Sequence, residues 1–519
     1  MPDAPKRRLV YAGLVAGVMA LATVLRFWTI GRGLPYSVGA DEPDIMIRVL
    51  HMLRSGDFNP HEFFDYPTLT FYMQMVVAGA RFITGAVRGE WITLDQIWPG
   101  DFYLWARTFT ALLSVGTVYI TYRAARRWTP LTAIIAALAL TVQPQLVREA
   151  HFALTDTPLT FFVALTMLLS LYACEKGRLR WFILAGVGAG LAAATKYNGG
   201  TALLMPLAAC LRVGELRVRT LAVVGVIVGA AAAFVAGAPY SLINLPGFLN
   251  GFAALIQHYN QERSPTDPAY VVYLKHIADW FSVITTNGHL YRITSYPALA
   301  LCGLGALSLA IDAIRPSRLP ESLIVLVFPF VYFFFISGHS LVFARYAMPV
   351  LPAMCLAFGR GVDVIWSRLP AWLPQVRHRQ IAMAVMLLTL APAAWQAIGF
   401  DVDRRQSSTT EIVAAWLVDH VQPGETVMIE SSAIALPPSI HSGNTLRLIS
   451  EPIEFYREKG VTYLVSTSTE TDKYFKQPER FPNQIAGYKA LLQGTTIATI
   501  VSPSKDRPGP TWQVLRVNK

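Results

Sequence analysis

Gly39-Ala40-Asp41-Glu42-Pro43-Asp44 places two adjacent carboxylates shortly after an apolar run. An ionised acid is costly in hydrocarbon, so these acids face water or a polar cavity. Two uses are open: a solvated loop, or a base that takes the proton of an attacking hydroxyl or amine. A second acidic patch follows, in which Arg148, Glu149, His151 and Asp156 fall within nine positions. Asp156 heads the next apolar run, where a helix N-terminus also suits an anion. Two cations complete the set: Lys196 in Thr195-Lys196-Tyr197-Asn198, and Arg345 in Phe343-Ala344-Arg345-Tyr346. Lys196, Arg345 and Arg148 are candidates to hold a phosphate, Arg345 with two parallel N–H donors. The plain alternative for Arg345 is a side chain reaching out to lipid headgroups. Tyr66, His151, Tyr197, His258 and Tyr346 are candidate substrate contacts; Tyr66 also suits an interfacial anchor. His258 opens the polar stretch His258-Tyr259-Asn260-Gln261-Glu262-Arg263, which could cover a site. His258, His339 and a carboxylate leave a divalent metal ion open, although their spacing defines no cluster.

These residues need a scaffold that carries them to one face of a bilayer. Of the 519 residues 53% are hydrophobic and 15% charged, against about 25% charged in soluble domains. Eleven apolar stretches are read as spans: 9–30, 103–122, 131–147, 152–174, 181–195, 199–211, 221–238, 296–314, 323–337, 346–366 and 381–400. The first is too long for a signal-peptide core and is read as a retained helix. Lys6/Arg7/Arg8, Arg123/Arg126/Arg127, Lys176/Arg178/Arg180, Arg212/Arg217/Arg219, Arg315/Arg318 and Arg368/Arg377/Arg379 mark every second loop as basic. Basic loops lie inside, so the N-terminus is expected in the cytoplasm of a cell with this protein in its inner (plasma) membrane. The acids, Lys196 and Arg345 then face the extracytoplasmic side. The net charge of +11 is spent on these clusters, and no basic face or motif points to nucleic acid. Cys174, Cys210, Cys302 and Cys355 lie in or beside apolar runs without zinc spacing.

Residues 67–87 are apolar but hold Gln74 and Arg81, and a full span there would reverse every later loop. They are read as a juxtamembrane or re-entrant helix in a first external loop over 31–102. Residues 1–400 form the expected membrane module. From Ser408-Thr409-Thr410-Glu411, a capping-box pattern, the composition turns mixed. Strands are expected at 426–429, 461–466, 496–501 and 512–517, and a helix at 482–492, giving a small α/β extracytoplasmic domain over 401–519.

In order and spacing, the series Asp41-Glu42, Tyr66-Pro67-Thr68-Leu69, Arg107, the turn 123–128, Arg148…His151…Asp156-x-Pro158, Thr195-Lys196-Tyr197 and Arg345-Tyr346-x-x-Pro349-x-x-Pro352 resembles the GT-C glycosyltransferases of the protein O-mannosyltransferase and aminoarabinose-transferase superfamily. The resemblance covers roughly residues 5–400. It implies an α-helical polytopic GT-C fold and inverting transfer from a polyprenyl-phosphate sugar, with membrane lipids around it. Asp41, with Glu42 beside it, matches the family's base or acceptor ligand, Asp156 its second acid, and Lys196 and Arg345 the donor-phosphate contacts. Tyr66-Pro67-Thr68 stands where relatives carry His-Pro-Pro or Tyr-Pro-Pro, so the acceptor is open among protein, lipid and glycan. Two rivals stay in view. A transporter or flippase should show repeated halves, and none is found; a non-catalytic scaffold should scatter Asp41, Asp156, Lys196 and Arg345.

Overall fold

The computed structural model describes residues 4–61, 64–260, 267–284, 290–368 and 375–518. They form two compact units, one of residues 1–28, 58–73 and 108–400, the other of 29–57, 74–107 and 401–519.

The first unit is helical. Among the described residues, seven helices are long and apolar enough to cross a membrane: Leu9–Phe27, Asp156–Lys176, Leu216–Gly237, Arg292–Ala313, Leu319–Ser337, Ala344–Arg368 and Met383–Asp403. The chain is a multi-pass membrane protein. The other four expected spans are also helical but differ in kind. Residues 103–122 lie in the Tyr103–Ala125 helix, and 181–195 in the 17-residue Leu179–Thr195 helix. Residues 199–211 become a 3-10 run, Tyr197–Leu203, and a short helix, Leu204–Cys210. Residues 131–147 become two helices, Pro130–Thr141 and Pro144–Ala150, bent by 57°. An eighth span results if that pair crosses as one.

The bend has a local cause. Pro144 has no N–H and keeps Gln143 extended (φ −68°, ψ 113°). Arg26, fully buried, answers the carbonyls this leaves open. Its guanidinium donates to Thr141 O (3.1 Å), Leu140 O (3.3 Å) and Ser114 Oγ (2.7 Å). A cation at a helix C-terminus also meets the negative end of the helix dipole. Elsewhere small residues let backbones touch. A Cβ on Gly186 would sit 2.2 Å from Val226 O, and one on Gly305 1.7 Å from Ala357 O, so each position admits only glycine.

The second unit contains a five-stranded sheet in the order His441–Asn444, Thr426–Ile429, Val461–Thr467, Trp512–Val517, Thr495–Val501. The first three strands are parallel and the last two join antiparallel. Val427, Ile429, Val465 and Val514 face a buried core with Leu417 and Trp512. The Thr409–His420 helix is capped as expected: Ser408 Oγ accepts from Glu411 N at 3.1 Å. The four expected strands and the helix Pro482–Gln493 are present. The edge strand His441–Asn444 was not expected, because His-Ser-Gly-Asn is polar and mostly exposed and shows no alternation. The residues before the acidic motif belong to this unit. Val38 N donates to Ala433 O at 3.0 Å, and Ser432 Oγ donates to Ala40 O. The helix Leu69–Val87 forms where 67–87 was expected, and is not among the seven long apolar ones.

Candidate active site

Three charged side chains separated by up to 189 positions meet in the first unit. Asp156 is the first residue of the Asp156–Lys176 helix, with Pro158 in its first turn, where a missing N–H costs nothing. Lys196 follows the Leu179–Thr195 helix in an extended conformation (φ −156°, ψ 133°), before the chain resumes as 3-10 turns. Arg345 lies in the 3-10 run Ala344–Val350. Lys196 Nζ stands 2.8 Å from Asp156 Oδ1, and Arg345 Nε 3.5 Å from Asp156 Oδ2. The Asp156 and Lys196 side chains are 4% and 7% exposed, and Arg345 is 21% exposed. One carboxylate thus faces two cations. When Lys196 is protonated, the group carries a net positive charge largely out of water, which favours an anionic ligand.

Aromatic groups fix the cations. Lys196 Nζ lies 4.2 Å from the centre of the Tyr346 ring, and the Arg345 guanidinium 5.0 Å from that of Phe343. A buried tyrosine links the two cationic segments. Asn198 Nδ2 donates to Tyr332 Oη (2.9 Å), and Tyr332 Oη donates to Tyr346 O (2.8 Å). Tyr259 adds a wall: its ring centre is 6.1 Å from that of Tyr346 and 5.3 Å from that of His339. Ser340 donates to Tyr259 O from N (3.1 Å) and Oγ (2.8 Å). Tyr259 belongs to the polar stretch read as a possible cover, and it does pack against Tyr346; Tyr332 escaped sequence reasoning. Tyr332 sits in the run Phe328-Pro329-Phe330-Val331-Tyr332-Phe333, which reads as lipid-facing; nothing in the run distinguishes it.

The other expected residues of this unit are dispersed in kind. Tyr197 Oη donates to Phe64 O at 3.0 Å, and its ring packs against Phe252, 5.0 Å between centres. Tyr66 is half-buried. His151 is fully buried, its Nδ1 2.8 Å from Val147 O and its ring edge-on to Phe400. Arg148 is 62% exposed, with Nε 3.9 Å from Glu149 Oε1. His258 is exposed on the helix Leu245–Asn260; Gln261, Glu262 and Arg263 lie outside the described residues. Among the described residues no group of three or more His, Cys, Asp or Glu side chains is placed to hold a metal ion.

In the second unit, Glu42 is fully buried in a two-pronged pair with Arg107: Nε to Oε1 is 2.9 Å and Nη2 to Oε2 is 2.6 Å. Gly39 N also donates to Glu42 Oε2 (2.7 Å), and Arg107 Nη1 donates to Ile30 O (3.2 Å). Both Glu42 oxygens are therefore engaged. Asp41, half-buried, immediately precedes the helix Glu42–Ser55, and its side chain does not cap it. The motif thus divides: Glu42 is clamped, and Asp41 stands next to it at the head of a helix.

Residues 62–254 match the dolichyl-phosphate-mannose-protein mannosyltransferase family. Dolichyl-phosphate-mannose--protein mannosyltransferase 1 of Candida albicans is 29% identical over 150 residues, 25% of this chain; the match covers 17% of that protein's length. Among solved structures, the Archaeoglobus fulgidus oligosaccharyltransferase AglB, in complex with an inhibitory peptide and a dolichol-phosphate, aligns over 97% of this chain and 74% of its own (TM-score 0.58, 13% identity). ArnT of Cupriavidus metallidurans, bound to undecaprenyl phosphate, aligns over 97% of this chain and 98% of its own (TM-score 0.53, 17% identity). The likeness expected from the motif series is therefore found independently: the chain has the GT-C fold over nearly its whole length and resembles the protein mannosyltransferase family through residues 62–254.

Proposed function

We propose that this protein is a membrane glycosyltransferase that moves a hexosyl or pentosyl group from a polyprenyl-phosphate donor to an acceptor on the extracytoplasmic face, with inversion. The observation that carries this reading is the group of Asp156, Lys196 and Arg345, two of them buried and the third half-buried. A lipid-bound donor needs a site in the membrane unit, and a phosphate leaving group needs fixed cations where its charge develops. Lys196 and the more exposed Arg345 meet that need, and Asp156 holds them in place until a phosphate arrives. The acceptor oxygen or nitrogen bonds to the anomeric carbon while the bond from that carbon to the phosphate oxygen breaks. Polyprenyl phosphate leaves with the electron pair. The acceptor proton passes to a carboxylate, a role assigned to Asp41 because Glu42 is already engaged by Arg107. The relatives' ligands, a dolichol-phosphate and undecaprenyl phosphate, support the donor class.

The test is transfer from a panel of radiolabelled polyprenyl-phosphate sugars to membrane extract by the full-length protein. One donor should label an acceptor. Asp41→Asn should abolish labelling while donor binding persists. Full activity in that variant would remove Asp41 from the mechanism, and no transfer from any donor would overturn the reading.

A further inference from the structure

The sheet of the second unit carries an unexplained polar pair. Ser466 and Gln513 are cross-strand neighbours on the strands Val461–Thr467 and Trp512–Val517. Their sequence neighbours Val465 and Val514 point to the opposite face, into the apolar core. The Ser466/Gln513 face is roofed by the helices Ser468–Phe475 and Pro482–Gln493, and a face so covered is ordinarily filled with apolar side chains. Here a cavity of about 300 Å³ lies beneath the roof. Ser466 is only 6% exposed, and neither it nor Gln513 makes a side-chain hydrogen bond among the described residues. Both face the cavity, so polar atoms without internal partners are aimed into it.

The lining defines the ligand class. It contains no cation, which disfavours a phosphate or other anion. Its acid, Asp472, is already paired with Lys476 at 2.7 Å, which disfavours a cationic ligand. Ser466 and Gln513 bring a hydroxyl and a carboxamide; Ser468 and Thr471 add hydroxyls that each already hold one backbone bond (Thr511 N to Ser468 Oγ, 3.0 Å; Thr471 Oγ1 to Thr467 O, 3.3 Å), and Leu491, Leu492 and Leu515 make up the apolar part of the lining. Two rings complete the rim: Phe475, 47% exposed, and Tyr488, 6.3 Å away between centres. Tyr488 is held by its hydroxyl, which donates to the buried Glu430 carboxylate. Phe475 has no such role and leaves a large apolar ring in contact with solvent. A ligand with C–H groups on one face and hydroxyls around its edge matches both features, because polarised C–H groups seat on the negative face of an aromatic ring. The volume is at the small end of ligand sites, too little for a lipid chain or peptide.

From this we infer that the cavity between the Ser466/Gln513 strand pair and the Phe475/Tyr488 rim binds one neutral pyranose unit, as a carbohydrate-recognition site separate from the Asp156–Lys196–Arg345 group. It stands independently of the transfer reading. The test uses the full-length protein in a detergent without a sugar headgroup. The methyl pyranosides of glucose, mannose and galactose are titrated in the millimolar range by calorimetry and ligand-observed NMR. At least one should bind. Gln513→Ala and Phe475→Ala, each removing about one contact's worth of free energy, should each weaken binding about fivefold. Asp156→Asn should leave it unchanged. Absence of binding by all three sugars, affinity indifferent to both cavity variants, or loss of binding in Asp156→Asn would each overturn the assignment.

Discussion

Glu42 and Asp41 are neighbours in sequence but stand in different surroundings, one fully buried and the other half-buried. Sequence alone offers both as acids for chemistry. The fully buried pair with Arg107 uses up both oxygens of Glu42, which makes it a residue that positions the motif. Removing one partner of such a pair strands the other charge. Arg107→Met should therefore lower stability by about 3–5 kcal/mol, read as a drop in thermal midpoint, and Glu42→Gln added to it should restore much of the loss. A double variant no more stable than Arg107→Met would mean the pair is not what holds this segment. The same contrast decides how legible the site was. Lys196 and Asp156 could be picked out because charges at membrane depth are rare. Their 2.8 Å contact could not, since the pair is 40 positions apart and joins the start of one helix to the end of another. Arg148, equally conspicuous in sequence, turns out exposed and engaged with Glu149.

At the scale of elements, the cationic group depends on segments that are not regular helix. Lys196 and Arg345 both enter 3-10 runs, each where apolar helix was expected to begin nearby. Hydropathy registers the apolar side chains there and is blind to the tighter turn, so 199–211 read as a span. The Leu319–Ser337 helix joins the two runs through Tyr332. Tyr332→Phe removes both bonds and leaves Asn198 and the Tyr346 carbonyl short of a partner, a cost of about 1–3 kcal/mol for each buried group. Donor affinity should fall about tenfold with the helices intact. Donor affinity equal to wild type would show that the two runs keep their places without this link. The C-terminal strands were more legible, because Val461–Thr467 and Trp512–Val517 are bounded β-branched runs; the polar edge strand His441–Asn444 takes its place from pairing with Thr426–Ile429, a long-range fact.

For the molecule as a whole, a membrane unit and a mixed α/β unit obey different rules of stability. In the second unit Glu430 is buried, and its carboxylate accepts from Leu448 N (2.8 Å), Thr467 N (3.4 Å) and the Tyr488 hydroxyl. Burial still outweighs these donors and holds its pKa above the ordinary glutamate value. The sign follows from proton counting. A carboxyl with a raised folded pKa binds more protons folded than unfolded, so stability falls as pH rises from about 4.3, the unfolded value, through the raised one. The wild-type thermal midpoint should therefore decline across that window relative to Glu430→Gln, and parallel pH profiles would contradict the assignment. The central claim concerns the other unit: Asp156, Lys196 and Arg345 form the seat of a lipid phosphate. Its most direct measurement is the affinity of radiolabelled polyprenyl phosphate for full-length wild type and Arg345→Ala, at matched thermal midpoints. Loss of a charged donor should weaken binding about ten- to hundredfold, and equal affinity for the two proteins would contradict the account.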